Sequence, residues 1–509
     1  MAKPVYKSPP FQSPGLLIAV AFLVTVVLGA FLAIFVNSAG GRVGILLALP
    51  AAVAIGFLFL FDRYLLFFLI VLFRSSMDQL LEATKFGGFG LGAVLNALVI
   101  LIAFIALIQR PGPAGKVLKQ TWVAFLLVAG VSIFLAPEFI TALKSYLALV
   151  SYAAIFSLAI TLINSEQDFG RWMRAVFFSS LVPVIYGFID AANGGYASFE
   201  GFRISSTFSH PNIFAFYLVL MISLSFYFFK AKASYIPLFI RRTIPIYILI
   251  MFALLIMTKT RSAWAACFAF FLLYALIYER KYLIWILVAS AIGFMIPEVR
   301  DRITDLAQGN EVINYSKLNS YAWRKMIWEQ GLRWMEPSHY LLGYGLEAFI
   351  HYSVSFFTMS GGVAMGAHSV YVQLLFDTGI LGLLTFIWLH VKFGLLLKPY
   401  YKANKLMIFT AIMFLLEFAL NSYSDNMLAY LSFNWYLWFV LGAIYAAGRI
   451  RKKHAEDLLA ETVVLPTGQS LSARGNVAAR GIGNRGAGNR TSGSSTRIRN
   501  FDPKDGGRF

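Results

Sequence analysis

Long apolar stretches separated by short polar turns recur along most of the chain. A helix needs about 20 apolar residues to cross a bilayer, and most of these stretches reach that length. Spans are predicted at about 16–36, 43–61, 64–73, 91–108, 120–136, 139–162, 172–190, 212–229, 244–258, 262–278, 282–297, 369–391, 405–421 and 428–447. The pattern therefore predicts an all-α polytopic membrane protein with about 12–14 transmembrane helices.

One stretch interrupts this pattern. Residues 298–367 are far more polar than their surroundings, which predicts a single large loop containing amphipathic helices. The predicted organisation is a cytoplasmic N-terminal arm at 1–15, transmembrane helices at 16–297, the large loop at 298–367, C-terminal transmembrane helices at 368–448 and a disordered basic cytoplasmic tail at 449–509. The tail arginines can contact anionic lipid head groups or simply remain solvated.

Composition and charge agree with a membrane protein. Hydrophobic residues make up 59% of the chain and charged residues 13%, and the formal net charge is +19, from 43 basic and 24 acidic residues. In a soluble protein such a charge suggests nucleic acid, but in a membrane protein basic residues mark cytoplasmic loops. Their distribution predicts that both termini lie in the cytoplasm and that the large loop lies on the opposite, non-cytoplasmic face. The single cysteine, Cys267, can form no intrachain disulfide.

Basic residues predicted on the non-cytoplasmic side need another explanation. Arg261 lies in a turn between two apolar segments, where Lys259 and the neighbouring threonine and serine favour an anion-binding turn over simple snorkelling to head groups. Arg203 precedes a helix entry in which Pro211 and Asn212 suit the first turn. That structural interpretation leaves Arg203 unexplained.

Helical geometry gives Arg324 a direction. A predicted helix from Ser320 to Met335 has a polar stripe of Lys325, Glu329, Arg333 and Glu336 opposite an apolar arc of Trp323, Ile327, Trp328, Trp334 and Met335. Arg324 lies within the apolar arc. We expect it to point into a membrane-side chamber, where its planar fork can bind phosphate through two hydrogen bonds. The alternative is an ordinary snorkelling arginine at the membrane interface.

His368 follows the flexible, glycine-containing run at 360–366 and precedes the next span. Histidine can accept a proton near neutral pH, and glycines let the backbone approach a ligand closely, so His368 is a candidate base. The alternative is a histidine that only satisfies local hydrogen bonds. Motifs for zinc, a dinucleotide or a nucleoside triphosphate are missing from the sequence. We therefore expect no metal and no cofactor, with the energy for any reaction supplied by the substrate.

Together these motifs resemble the superfamily of O-antigen ligases and O-antigen polymerases. The resemblance rests on Arg203 to Asn212, Thr260-Arg261-Ser262, Arg324 with Trp328, Leu342-Gly343-Tyr344-Gly345-Leu346, and His368 through Asp377-Thr378-Gly379-Ile380-Leu381-Gly382. The chain departs from the commonest pattern at Ser206, where glycine is usual, and at Ser369, where asparagine often follows the histidine. These departures bear on the subfamily more than on the superfamily.

The resemblance implies a multi-pass glycosyltransferase of the bacterial inner membrane whose active face is periplasmic. Its donor would be an undecaprenyl-diphosphate-linked saccharide and its acceptor a saccharide or lipid A-core. Membrane lipids and other polysaccharide assembly proteins would be partners, and nucleic acid would not. Carried over by position, Arg203, Arg261 and Arg324 would bind the diphosphate and His368 would activate the acceptor hydroxyl. Supporting roles would fall to His210, Asn212, Lys259 and Tyr371.

Three functions remain open at this stage. The number of spans and the long tail favour a polymerase that joins saccharide repeat units for exopolysaccharide or O-antigen, with inversion at the anomeric carbon. A ligase that transfers the finished glycan to lipid A-core is the first alternative. A transporter for lipid-linked sugars is the second, although the chain lacks visible duplicated halves and its candidate residues gather at one face.

Overall fold

The computed structural model describes residues 43–83, 91–198, 201–304 and 320–464. Its helices are α1 (Val43–Phe73), α2 (Asp78–Ala83), α3 (Leu91–Gln109), α4 (Pro113–Ser132), α5 (Phe139–Leu162), α6 (Glu166–Ser179), α7 (Leu181–Ala192), α8 (Pro211–Lys230), α9 (Leu238–Met257), α10 (Arg261–Ile277), α11 (Tyr282–Met295), α12 (Pro297–Thr304), α13 (Ser320–Trp334), α14 (Ala348–Phe356), α15 (Val370–Leu397), α16 (Lys405–Ser424) and α17 (Leu431–Val464). Strands β1 (Tyr196–Ser198) and β2 (Gly201–Arg203) pair antiparallel, with Tyr196 opposite Arg203.

The predicted class of all-α polytopic membrane protein is confirmed. Within the described ranges, ten helical segments are long and apolar enough to cross a bilayer, and α10 and α11 are shorter apolar helices. The predicted span at 16–36 and the arm before it lie outside the described residues. The count of described candidates is therefore lower than the predicted total.

The joint between the predicted spans at 43–61 and 64–73 lies inside α1. Asp62 has non-helical backbone angles there, with φ −150° and ψ 84°. Its Oδ1 accepts hydrogen bonds from the backbone N–H groups of Tyr64 and Leu65, at 3.1 and 3.0 Å, which is how an N-cap begins a new helix. The sequence break therefore coincides with a helix boundary.

Helices α8 and α17 form the centre of the bundle. Almost every residue of α8 from Ile213 to Phe228 is buried, whereas α11 has no buried residue. Aromatic contacts join these helices. The ring centroids of Trp122 in α4 and Trp438 in α17 are 4.6 Å apart, and those of Tyr217 in α8 and Tyr436 in α17 are 5.2 Å apart. Such edge contacts between large rings stabilise a close-packed core.

The large loop has a hydrophobic cluster of its own, which contains Ile327, Trp328, Met335, Ala348, Phe349, Phe356, Phe357, Ala367 and Phe376. Because Phe376 belongs to α15, this cluster attaches the loop to a membrane helix. On the other side of α13, Nζ of the exposed Lys325 lies 3.9 Å from Oε1 of the exposed Glu329. The amphipathic pattern predicted for this helix is therefore observed.

A break in α15 provides a second attachment for the loop. Gly379 has φ +66° and ψ −168°, which interrupts the helical hydrogen bonds. The loop replaces them, because the N–H groups of Tyr344 and Gly345 donate to the carbonyls of Phe376 and Asp377, at 3.0 and 2.8 Å, and Ile380 N–H donates to Tyr340 at 2.8 Å. Irregular backbone inside a membrane protein needs partners of this kind.

The last helix corrects one predicted boundary. The disordered tail was predicted to begin at 449, but α17 continues to Val464. Residues 455–464 include alanine, leucine and glutamate, which are strong helix formers, so the helix extends beyond the apolar span. The remainder of the predicted tail lies outside the described residues. The chain divides into two units, Met1–His454 and Ala455–Phe509, and the site described below lies within the first.

Candidate active site

Arg203 is the most tightly held of the predicted site residues. It ends β2 and is 8% exposed. Its Nε donates to the carbonyl of Thr258 at 2.8 Å, and its Nη2 donates to Oδ1 of Asn212 at 2.6 Å and to Oγ1 of Thr260 at 3.0 Å. The guanidinium therefore joins the hairpin to the start of α8 and to the turn before α10.

The turn between β2 and α8 is fixed by two acids, the partly buried Asp190 and the buried Asp78. Oδ2 of Asp190 accepts the N–H groups of Ser205 and Ser206, both at 2.8 Å. Oδ2 of Asp78 accepts the N–H and hydroxyl of Ser209, both at 3.1 Å. Asp78 in turn pairs with Arg74 at 2.9 Å in a buried ion pair. The contact with Asp78 therefore gives the buried Arg74 a structural role.

Asn212 connects Arg203 to a carboxylate that the sequence interpretation did not include. Its Nδ2 donates to Oδ2 of Asp425 at 2.6 Å, and the hydroxyl of Tyr430 donates to Oδ1 of the same residue at 2.6 Å. His210 caps α8, since its Nδ1 accepts the N–H of Asn212 at 3.1 Å. Burial raises the pKa of Tyr430 well above its usual range, so its hydroxyl remains a donor.

Arg324 lies on α13 with part of its hydrogen-bonding capacity unused. Nη1 makes one long contact of 3.4 Å with the carbonyl of Ser320. Nε is buried and has no hydrogen-bond partner within the described part of the chain. A buried guanidinium N–H without an acceptor is costly, and a bound anion would satisfy it. Arg324 is the arginine that the sequence placed on the apolar side of this helix, away from the polar stripe.

Arg261 occupies a different position from the other two arginines. It begins α10, and its Nη2 donates to Oγ of Ser320 at 2.9 Å while its Nη1 donates to the carbonyl of Arg302 at 3.0 Å. It is not among the described residues that line the cavity below. Since Ser320 begins α13, Arg261 holds the helix that carries Arg324. Its neighbour Lys259 has a left-handed backbone, with φ +53°.

His368 precedes α15 in a strained backbone conformation. Its φ is +49°, a region that costs a non-glycine residue of the order of 1 kcal/mol. Burial lowers the pKa of His368 below its usual range, while the Asp425 carboxylate raises it and the Arg324 guanidinium lowers it again. The imidazole is therefore neutral at neutral pH and can accept a proton.

Tyr371, predicted as a supporting residue, faces the bundle. Its hydroxyl donates to the carbonyl of Ala419 at 2.8 Å, and its ring packs against the main core. It is not among the described lining residues of the cavity. Its contacts give it a place in the junction between α15 and α16.

One cavity brings most of the predicted site residues together. It has a volume of about 510 Å³ and is lined by Arg203, Ser209, His210, Asn212, Ile213, Arg324, His368, Ala429 and Tyr430. The volume is within the range of ligand pockets, and two guanidinium groups give it affinity for anions. Within the described ranges, no group of three or more histidine, cysteine, aspartate or glutamate side chains could hold a metal ion.

Asp425 and Tyr430 come from the segment between α16 and α17. The sequence interpretation placed Asp425 between two predicted spans and Tyr430 within the second, and gave neither residue a role. The available signal was an acidic residue between two apolar spans on the same face as Arg203. Asp425 is 2% exposed, so it needed partners, and Asn212 and Tyr430 supply them.

The fold and the cavity define a polytopic helical membrane protein with a cationic pocket at one end of its helices. Residues 246–387 match the family model described as O-Antigen ligase. This match confirms the predicted superfamily of O-antigen ligases and polymerases for a segment that contains Arg261, Arg324 and His368. Arg203 and Asn212 precede the matched segment and reach the same cavity. No curated protein matches the chain at a significant level.

Proposed function

We propose that the protein polymerises undecaprenyl-diphosphate-linked saccharide repeat units for an exopolysaccharide or O-antigen at the periplasmic face of the bacterial inner membrane. The observation that carries this proposal is the convergence of Arg203, Arg324 and His368 on one cavity. It combines two anion-binding side chains with one base at the ends of membrane helices, where a lipid-linked substrate can be reached.

Arg203 and Arg324 would bind the diphosphate of the donor. Cleavage of the sugar to phosphate bond develops negative charge on the leaving group, and preplaced guanidinium groups stabilise that charge most in the transition state. Arg203 is preplaced by Thr258, Asn212 and Thr260. Arg324 offers a buried Nε that lacks an acceptor among the described residues. The predicted role of Arg261 as a third diphosphate ligand stays a prediction.

His368 would accept the proton of the attacking hydroxyl. The acceptor oxygen forms a bond to the anomeric carbon as the bond from that carbon to the diphosphate breaks, so a single displacement inverts the configuration. The proton goes to the imidazole and the bonding electrons leave with undecaprenyl diphosphate. The nearby Asp425 raises the pKa of His368, which means that it stabilises the imidazolium formed in this step.

The basic cytoplasmic turns support a periplasmic position for the cavity and a cytoplasmic position for both termini. In this orientation the donor diphosphate lies at the periplasmic surface of the inner membrane, and its lipid tail remains in the bilayer. The proposed chemistry uses this chain's own side chains, without a metal or nucleotide.

A ligase is the second candidate, because the matched family model is described as O-Antigen ligase. The two functions differ in their acceptor. Purified enzyme in detergent would be given the lipid-linked repeat unit alone or together with lipid A-core. Elongation of the repeat unit alone supports the polymerase, whereas product formed only with lipid A-core supports the ligase. A protein that forms no product under either condition contradicts both and favours transport.

A further inference from the structure

A second cavity lies beside the one that contains His368. It has a volume of about 380 Å³, and Ala429 lines both cavities. The polar side chains that line it are Lys144, Ser145, Glu347, Gln373, Asp377 and Asn426. The sequence interpretation assigned no role to any of these residues.

Two segments of the chain, 368–373 and 426–430, contribute residues to both cavities. His368 lines the first cavity and Gln373 the second, and the two positions are connected because Oε1 of Gln373 accepts the N–H of Ala367 at 3.1 Å. Tyr430 lines the first cavity and Asn426 the second, on the segment between α16 and α17. A group bound in the second cavity therefore lies next to the base of the first.

The side-chain chemistry of the two cavities differs. The first contains two arginines, whereas the second combines two carboxylates, a hydroxyl, two amides and one ammonium group. The hydroxyl of Ser145 donates to Oε1 of Glu347 at 2.5 Å, which fixes the carboxylate at the cavity wall. Such a mixture of donors and acceptors suits the hydroxyl groups of a sugar ring better than it suits a diphosphate.

Two further observations indicate that this cavity is built for a ligand. Lys144 lies in the second turn of α5 and lines the cavity, where its ammonium can donate hydrogen bonds to a ligand. Glu347 has a left-handed backbone, with φ +66°, although it is neither glycine nor asparagine. The bonds from the N–H groups of Glu347 and Phe349 to the carboxylate of Asp377, at 3.0 and 2.8 Å, hold the backbone in that conformation.

We propose that the cavity lined by Lys144, Ser145, Glu347 and Asn426 binds the acceptor saccharide and presents its hydroxyl to His368. This inference rests on the proposed glycosyl transfer. It separates the two substrates in space, with the donor diphosphate on the arginines of the first cavity and the acceptor sugar in the second. Glu347 and Asn426 would then determine acceptor affinity, and the arginines would determine donor affinity.

The test uses three variants of the full-length protein in detergent. Glu347→Gln replaces the carboxylate with an amide of nearly equal volume, Asn426→Ala removes a carboxamide, and Ala148→Trp fills the cavity from α5. Lys325→Ala, on the exposed face of α13, is the control. A melting temperature close to that of the unaltered protein identifies the variants that remain folded.

The first measurement is transfer to a soluble repeat-unit oligosaccharide, whose concentration is varied at a fixed, saturating concentration of the lipid-linked donor. We expect the acceptor KM to rise about tenfold or more in both variants, since Glu347→Gln replaces a charged acceptor with a weaker neutral one and Asn426→Ala loses its amide. Affinity for undecaprenyl diphosphate, measured separately, should change less than about twofold. An unchanged acceptor KM in the folded variants, or an equal loss of undecaprenyl diphosphate affinity, would overturn the inference.

A second measurement does not depend on transfer. Soluble oligosaccharides freed from the repeat unit and from the lipopolysaccharide core of the host strain would be titrated against the protein. Binding of either that is lost in Ala148→Trp and retained in Arg324→Lys supports an acceptor site. Binding of neither, or equal binding in Ala148→Trp, overturns it. Failure of the unaltered enzyme to transfer, with oligosaccharide binding intact, would instead contradict the proposed function.

Discussion

Nη2 of Arg203 donates a hydrogen bond of 2.6 Å to Oδ1 of Asn212, and the amide nitrogen of Asn212 donates one of equal length to Asp425. A single side chain thus fixes a cation and a carboxylate in the same site. Asn212 is the second residue of α8, which is one of the most buried helices of the bundle. The position of α8 therefore determines where Arg203 and Asp425 lie.

Replacing Asn212 with alanine should reduce both stability and transfer. Arg203 and Asp425 would each lose a partner while remaining buried, and an unsatisfied buried polar group costs about 1–3 kcal/mol. We expect a lower melting temperature and a lower kcat. Asn193→Ala, at the exposed end of α7, is the matched control. Equal melting temperatures and rates for the two variants would contradict this role of Asn212.

Arg324→Lys should severely impair transfer although it retains the positive charge. A lysine ammonium cannot reproduce the planar fork, and loss of one preorganised donor to a developing anion costs roughly 100-fold to 1000-fold in kcat. Lys325→Ala, one position away on the exposed face of α13, should have nearly unaltered activity. Comparable activity of Arg324→Lys and the unaltered enzyme would remove Arg324 from the proposed mechanism.

The rate of transfer should fall in acid, and the fall should occur at a lower pH than the one at which an ordinary histidine becomes protonated. Burial lowers the pKa of His368, so the neutral base is present at neutral pH and is lost only as the pH falls through that lowered value. Asp425 raises the same pKa. Asp425→Asn should therefore move the acid limb of the pH dependence of kcat/KM to still lower pH. A limb that moves to higher pH would contradict the electrostatic role of Asp425.

Alanine at Gly345 or Gly379 should prevent the large loop from attaching to α15. Both glycines have positive φ, and a Cβ at either position would overlap backbone atoms, of Ala136 beside Gly345 and of Leu341 beside Gly379. Overlap with backbone cannot be relieved by a rotamer change, so we expect little folded protein. Gly293→Ala has open space in α11 and should fold normally. Gel filtration in detergent would distinguish the variants, and normal recovery of Gly379→Ala would contradict this account of the break.

Local patterns in the sequence were sufficient to predict the class of fold, and together with the family resemblance they named most of the residues of the cavity. Apolar length predicts spans, and the position of Arg324 on an amphipathic helix predicts the direction of its side chain. His368 was recognisable as a candidate base just before a membrane helix. Arg203 was recognisable only as a basic residue that the helix entry did not explain, and its role came from the family resemblance. Their assignment to one cavity agrees with the structure.

The remaining features depend on contacts between distant segments. Asp425 is identified by its bonds to Asn212 and Tyr430, which a sequence pattern does not contain. The break at Gly379 is stabilised by residues of the loop, so an apolar run alone predicts an uninterrupted span. Arg261 shows the same limit, since its sequence position beside the site did not reveal that it bonds to the start of α13.

The central claim is that His368 is the base of a glycosyl transfer carried out in the arginine-lined cavity. The most direct test compares His368→Ala with the unaltered enzyme, both purified in detergent and supplied with the lipid-linked repeat unit, with lipid A-core included in a parallel reaction. The account predicts that His368→Ala remains folded, binds undecaprenyl diphosphate with nearly unchanged affinity and forms no product. Full product formation by His368→Ala would contradict it.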